Sequence, residues 1–401
     1  MRFLCPLAIL ALSNAATMGA YYLFISYFTF VVGVSALELA VPFSRKFLRC
    51  KNEKQRRVVF NGLLANQVVV STVLAVPAGV LVSTWAGVPA VLVPLFCLSL
   101  ATEACVNEVG RFFWNIGEWR MPSLRDFVRA AVFTTAILGS VYVENDVLSA
   151  ITFLTITVGN LCIMGWEWRS WGKGRLEKPT HAARMVSSAW SRAKRSLAGS
   201  LPQFVHMQLL GLQPLLERTL IEKTTGLEAV GAFSFLTAVM QSAAGLLLVP
   251  IVAKTRQGLL GARTASERIY ANRQSLTLLI KIGIISGVLA VMVYVMQPLL
   301  KLLLGKDIPA TLFLVVIAYL SSVSAIFCSA IAPLLTVKGY AWPANGLTFL
   351  ALAPLFIAQW ICPEVGLDNL GLMTIGLVGL LLLLGRVMFI NRASKLLIPE
   401  S

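Results

Sequence analysis

Apolar residues occur in long runs along most of the chain, separated by shorter polar loops. Several runs reach the ~20 residues that an α-helix needs to cross a bilayer. Twelve such segments are predicted, at residues 2–17, 20–43, 58–83, 88–113, 126–143, 147–168, 200–221, 229–253, 275–304, 308–335, 341–361 and 367–390. The pattern predicts an all-α polytopic membrane protein with about twelve transmembrane helices.

The composition agrees with this fold class, because 57% of the 401 residues are hydrophobic and only 13% are charged. The net charge of +16 taken alone is compatible with nucleic-acid binding. The basic residues lie in loops such as 45–57 and 254–273, whereas the loops between them are short and acidic. This asymmetry predicts cytoplasmic basic loops, two cytoplasmic termini and no nucleic-acid partner.

A basic stretch near the middle of the chain predicts a division into two halves. The predicted parts are an N-terminal six-helix bundle (1–168), a basic cytoplasmic linker (169–198) and a C-terminal six-helix bundle (199–401). The segment "GAYYLFISYFTFVVG" aligns with "GAFSFLTAVMQSAAG", which places Gly19 over Gly231. A repeat in the same orientation predicts two parallel bundles with a cleft between them.

The N-terminal sequence "MRFLCPLAILALSNAA" has a basic start, a short apolar core and small residues. These features fit a secretory signal as well as a short first helix. Retention of the helix is the leading interpretation, and cleavage would leave the cytoplasmic loops unchanged.

The second half begins with "PQFVHMQLLGLQPLLERTLIEKTTGLEAVGAFSFLTAVMQ". It resembles the seventh and eighth helices of the oligosaccharide-lipid flippases. This family belongs to the multidrug/oligosaccharidyl-lipid/polysaccharide exporter superfamily. The early Pro202, the charged pair Glu217–Arg218 and the stretch 230–234 occupy the family's positions, and residues 105–132 resemble its fourth and fifth helices. The family commonly has aspartate where this chain has the Glu-Arg pair.

The resemblance implies a flippase that moves a polyprenyl-diphosphate-linked oligosaccharide across the bacterial inner membrane. It implies ion-coupled alternating access driven by a proton or sodium gradient, without a bound cofactor. Expected partners are the lipid-linked oligosaccharide, membrane lipids and other glycan-assembly proteins. Three alternatives stay open, namely a drug or metabolite antiporter of related architecture, a major-facilitator transporter and a non-transporting scaffold.

One helix of the second half carries a polar stripe. Its residues follow spacings of three, four, three and four, with Leu210 among them, so they share one helix face. The polar members are Gln203, His206, Gln213 and Glu217, and Arg218 lies off the stripe. Because polar groups facing lipid are costly, the stripe predicts either a cavity wall or interhelical hydrogen bonds.

A second stripe, Glu103, Asn107 and Arg111, continues to Trp114 in segment four. With the tryptophan at the interface, the carboxylate lies about 16 Å deeper, near mid-membrane. A carboxylate at this position is interpreted either as an ion-coupling site or as one partner of a salt bridge with Arg111 or with an arginine of segment five. Glu38 is a second candidate for ion coupling.

A diphosphate substrate requires cations that face inward. The candidates for substrate binding are Arg111, Arg129, Arg218 and Lys281, although Arg129 and Lys281 also fit an interfacial, snorkelling position. The sequence shows no catalytic constellation, zinc spacing or phosphate loop, and the seven cysteines are scattered. An enzyme and a metal site are therefore not expected.

Overall fold

The structure is a computed structural model of the 401-residue chain. It describes residues 4–37, 39–48, 50–116, 120–144, 147–171, 182–241, 265–304, 311–337, 341–365 and 368–395, with some side chains left out. These residues form helices and no β-strand. Eight of the described helices are long and apolar enough to cross a membrane, and two more apolar helices are shorter.

The described helices are named here in chain order. In the first half they are α1 (Leu4–Leu12), α2 (Ala15–Ala36), α3 (Ala40–Leu48), α4 (Glu53–Trp85), α5 (Val93–Asn115), α6 (Arg120–Glu144) and α7 (Ala150–Trp171). In the second half they are α8 (Ala182–Thr225), α9 (Leu227–Gln241), α10 (Ala265–Leu304), α11 (Leu312–Val337), α12 (Ala341–Val365) and α13 (Asp368–Lys395).

The N-terminal segments differ from the predicted bounds. The predicted segment 2–17 is interrupted after Leu12, and Asn14 begins α2 by accepting a hydrogen bond from the Thr17 backbone N–H at 2.8 Å. The predicted segment 20–43 is interrupted after Ala36, where Leu37 has a φ of +54°. A left-handed residue cannot continue a right-handed helix, so the basic, amphipathic α3 begins separately.

The predicted linker 169–198 overlaps two helices. Its first residues complete α7, and from Ala182 onward the chain is helical as part of the 44-residue α8. A helix of this length spans about 66 Å, roughly twice the hydrocarbon core of a bilayer. The part of the basic segment from Ala182 onward is therefore continuous with the helix of the seventh span.

The chain forms two compact units. The first unit comprises Tyr27–Phe204, and the second comprises Arg2–Ser26 together with Val205–Ser401. The N-terminal residues up to Ser26 thus pack with the second half, whereas the sequence places them in the N-terminal bundle. The core of the first unit includes Phe60, Phe112 and Phe113 beside Trp171, and that of the second is mainly aliphatic.

The two glycines that the internal repeat aligns lie against each other in the second unit. A Cβ on Gly19 would overlap the carbonyl oxygen of Leu227 and lie 3.1 Å from the Gly231 nitrogen. A Cβ on Gly231 would lie 2.5 Å from the Ala15 oxygen and 3.2 Å from the Gly19 nitrogen. Ala15 and Leu227 are themselves equivalent in the repeat. Gly19 of α2 therefore contacts Leu227 of α9 in the same way as Gly231 of α9 contacts Ala15 of α2, and such reciprocal contacts are those of a local two-fold axis.

Substituting alanine for Gly19 is expected to lower the free energy of unfolding by about 1–3 kcal/mol, because the backbones of α2 and α9 would have to separate. The matched control is Gly139→Ala, since a Cβ there meets nothing within 4 Å. Thermal unfolding in detergent measures both variants. Equal melting temperatures for the two would contradict the close crossing.

Candidate functional site

The polar stripe of α8 is buried inside the second unit. The side chains of His206, Gln213 and Glu217 are at most 3% exposed. Each is hydrogen-bonded to a neighbour, in a network that includes residues of α11 or α12. The structure therefore shows the interhelical hydrogen bonds that were one of the two predicted interpretations. The side chain of Gln203 lies outside the described residues.

Glu217 is held by neutral groups. Its Oε1 accepts a hydrogen bond from Gln213 Nε2 at 2.8 Å, and its Oε2 accepts one from Ser321 Oγ at 2.7 Å. The Gln213 amide also donates to Ser324 Oγ at 3.3 Å. Among the described residues, no lysine or arginine lies within salt-bridge distance of the Glu217 carboxylate. An ionised carboxylate buried among neutral groups is costly, and protonation removes that cost.

Arg218 contacts the middle of α2 rather than its neighbour Glu217. Its Nη1 donates to the hydroxyl of Ser26 and to the carbonyl of Tyr22, the latter at 3.3 Å. The guanidinium carbon also lies 5.3 Å from the centre of the Tyr22 ring. Arg218 thus joins α8 to α2 within the second unit.

A second polar cluster surrounds His206. Its Nδ1 lies 2.9 Å from Asn345 Oδ1 and 3.3 Å from Nη2 of Arg386. The same Nη2 donates to Thr348 Oγ1 at 2.6 Å. The Arg386 side chain is only 1% exposed, and no carboxylate of the described residues lies within salt-bridge distance of it. We refer to these four residues as the His206–Arg386 cluster.

In the first unit, Glu103 forms a salt bridge with Arg129 of α6. Its other oxygen accepts a hydrogen bond from Asn160 Nδ2 of α7 at 2.8 Å. Of the two predicted partners, the arginine of segment five is the one that Glu103 contacts. Since Arg129 neutralises it, this carboxylate has the surroundings of a structural ion pair.

Arg111 lies beside another buried carboxylate. Its Nη1 is 3.8 Å from Glu108 Oε2, and the second oxygen of Glu108 accepts the backbone N–H of Ala40 at the start of α3. A carboxylate at a helix N-terminus is stabilised by the helix dipole. Glu108 thus fixes α3 to α5.

A further ion pair lies in the first unit. Arg125 Nη1 is 3.6 Å from Glu167 Oε1 and donates to the Val106 carbonyl at 3.2 Å. Its guanidinium occupies the space where a Cβ on Gly110 would lie. Only glycine leaves room for this arginine between α5 and α6.

The remaining candidates lie apart from these contacts. Asn107 is half-buried, and Lys281 is exposed on α10 next to the exposed Ile280. Glu38 lies outside the described residues. Among those that are described, no group of three metal-ligating side chains occurs. Lys281 is therefore not among the buried polar groups of the second unit.

Sequence reasoning did not single out the partners of the α8 stripe. Ser321, Asn345 and Arg386 are each more than 100 residues from it, so periodicity along one helix carries no information about them. Arg386 was detectable in one respect, because it is the only charge within the apolar run 367–390 apart from Asp368 at its start.

Comparisons with known proteins add one finding at the level of the fold. A solved structure described as the inward-facing conformation of a multidrug resistance MATE family transporter of the MOP superfamily is similar along the whole chain. The TM-score is 0.55 at 15% sequence identity, and the similarity covers 100% of this chain and 96% of that one. The chain shares that transporter's fold.

The all-α, multi-pass membrane fold with two helical bundles is thereby confirmed. At this sequence identity the similarity concerns the fold and not the activity. No protein-family model matches the chain, and no curated protein matches it. The resemblance seen in the sequence is supported for the fold of the larger superfamily, while the flippase family stays a prediction.

Proposed function

We propose that the protein is a proton-coupled transporter and that its cargo is a polyprenyl-diphosphate-linked oligosaccharide, moved across the bacterial inner membrane. The observation that carries the proposal is Glu217, a carboxylate 2% exposed whose hydrogen-bond partners are all neutral. The fold shared with a transporter supports the transport role. The sequence resemblance of residues 202–241 supports the cargo.

Glu217 has the properties of a proton carrier. When it is ionised, its two oxygens accept the Gln213 and Ser321 hydrogen bonds. When it is protonated, one oxygen becomes a donor, and at least one of these bonds must rearrange. Since Ser321 belongs to α11, the protonation state alters the contact between α8 and α11. We propose that the proton gradient drives alternating access through this change in the α8–α11 contact.

A drug or metabolite antiporter is the second candidate, and a specific observation favours it. Arg111 and Arg129, two of the cations expected to bind a diphosphate, lie beside Glu108 and Glu103. Their charges are therefore already compensated. The described MATE neighbour is itself named a multidrug resistance transporter.

Reconstitution into proteoliposomes distinguishes the two cargos. We expect protein-dependent translocation of a fluorescent, short-chain polyprenyl-diphosphate oligosaccharide under an imposed pH gradient, well above that of empty vesicles. A fluorescent lipophilic cation serves as the antiporter substrate in parallel vesicles. If only the cation is translocated, the flippase proposal is wrong and the antiporter is supported. If neither compound is translocated, both proposed cargo classes are contradicted.

A further inference from the structure

The corner between α3 and α4, in the first unit, carries a group of exposed cations. They lie in the last turn of α3, in the connecting turn and in the first two turns of α4, and they are Lys46, Lys51, Lys54, Arg56 and Arg57. The acidic residue of this segment, Glu53, is already paired with Arg57. No carboxylate of the described residues lies within salt-bridge distance of the three lysines. The corner therefore has a positive charge that the described part of the chain does not balance.

The backbone and the core hold this corner in place. Asn52 Oδ1 accepts the backbone N–H of Gln55 at 2.9 Å, and Gln55 Oε1 accepts the backbone N–H of Lys51 at 3.2 Å. These side chains cap the start of α4. The guanidinium carbon of Arg56 lies 5.5 Å from the centre of the Phe47 ring, which belongs to the core of the first unit. The cations are thus carried by a backbone that is fixed to the bundle.

The corner lies directly beyond the apolar face of a membrane span. On α4, exposed apolar side chains extend from Val58, which is 66% exposed, to Leu81, which is 60% exposed, and no charged residue lies between the two. The two are 23 residues apart, so they bracket about 35 Å of helix, close to the ~30 Å of a hydrocarbon core. Lys54 precedes Val58 by one turn and shares its helix face. It therefore lies at the depth of the lipid headgroups.

We propose that the α3–α4 corner binds the headgroups of anionic phospholipids, with phosphatidylglycerol as the representative ligand. The lysine and arginine N–H groups donate to the phosphodiester oxygens. Groups of four or more cations directly beside a membrane span attract anionic lipids in this way. The proposal concerns the lipid around the protein and depends neither on the cargo nor on Glu217.

Exposed apolar side chains beside the cations favour a lipid over a soluble anion. Leu48, the last residue of α3, is 60% exposed, and Val58 lies one turn beyond Lys54. A phospholipid places its phosphate against the cations and its first acyl methylenes against these two side chains. Inorganic phosphate gains only the first of these contacts, and it loses more in water because the charges are exposed.

Native mass spectrometry of the full-length protein in a neutral detergent tests the proposal. Phosphatidylglycerol and phosphatidylcholine are supplied at equal concentrations, and the ratio of their adducts is measured. The wild type is expected to carry mainly phosphatidylglycerol. Replacing Lys46, Lys51 and Lys54 together by glutamine is expected to lower the ratio at least about tenfold, since each cation near a membrane surface contributes to the attraction.

The matched control replaces three other exposed lysines by glutamine, in the second unit: Lys223, Lys281 and Lys301. It changes the net charge by the same amount and should keep the wild-type ratio. Both triple variants should melt like the wild type in phosphatidylcholine nanodiscs, because the replaced side chains are exposed. Inorganic phosphate at the lipid concentration should leave the phosphatidylglycerol adducts in place.

Four results would overturn the proposal. The first is a wild type without preference for phosphatidylglycerol, and the second is an unchanged ratio in the Lys46/Lys51/Lys54 variant. The third is an equal fall in both triple variants, which would reflect net charge rather than this corner. The fourth is displacement of phosphatidylglycerol by inorganic phosphate, which would identify the ligand as a soluble anion.

Discussion

Glu217→Gln is expected to abolish gradient-driven accumulation while leaving the protein folded. The glutamine amide is isosteric with the protonated carboxyl group: its oxygen can accept from Gln213 and its NH2 can donate to Ser321 Oγ, so the variant keeps the hydrogen bonding of the protonated state. It cannot take up a proton. With one proton per cargo, a gradient of one pH unit supports about a tenfold accumulation, and this ratio should fall to about one in the variant.

The measurement is the accumulation ratio in proteoliposomes with an imposed pH gradient, for the cargo that the reconstitution experiment identifies. Glu222→Gln is the matched control, because it makes the same change five residues further along α8, at a less buried position. The control should accumulate cargo like the wild type. An undiminished ratio in Glu217→Gln would exclude Glu217 as the proton carrier.

Arg129→Gln is expected to lower the free energy of unfolding by about 3–5 kcal/mol, because it leaves the buried Glu103 without its counter-ion. The hydrogen bond from Asn160 remains but supplies no charge. Glu103→Gln should cost less, since the side chain of Arg129 is 21% exposed and can reach water. The double variant should recover most of the stability lost in Arg129→Gln.

Thermal and denaturant unfolding in detergent measure this cycle. Arg57→Gln is the control, because its ion pair with Glu53 is exposed and should contribute less than about 1 kcal/mol. The double variant should also retain gradient-driven transport if Glu103 is structural. Loss of transport in a stable double variant would contradict a purely structural role and would support Glu103 as an ion-coupling site.

The sequence predicted which residues of α8 are buried, because helical periodicity and the cost of polar groups in lipid are properties of one segment. Spacings of three and four placed His206, Gln213 and Glu217 on one face, and the structure has all three in the core of the second unit. Whether that face bounds a cavity depends on neighbours from α11, α12 and α13. No local pattern carries this information.

Pairing of charges was also beyond local reasoning. Glu103 required an arginine, but two were available, and only the packing of α5 against α6 and α7 selected Arg129 and Asn160. Arg111 had the better helical spacing and instead lies beside Glu108. In a low-dielectric interior the choice of partner follows the nearest compensating charge in space.

The amino-acid sequence by itself determined the membrane-spanning helices, since apolar length and loop charge are set by composition along the chain. It also contained the repeat that aligns Gly19 with Gly231. Only the tertiary structure brought these glycines together, joined Arg218 to Ser26 and left Arg386 buried beside His206. The reason is physical: helix formation in a bilayer satisfies the backbone locally, whereas buried side-chain polarity is satisfied by whichever helices pack alongside.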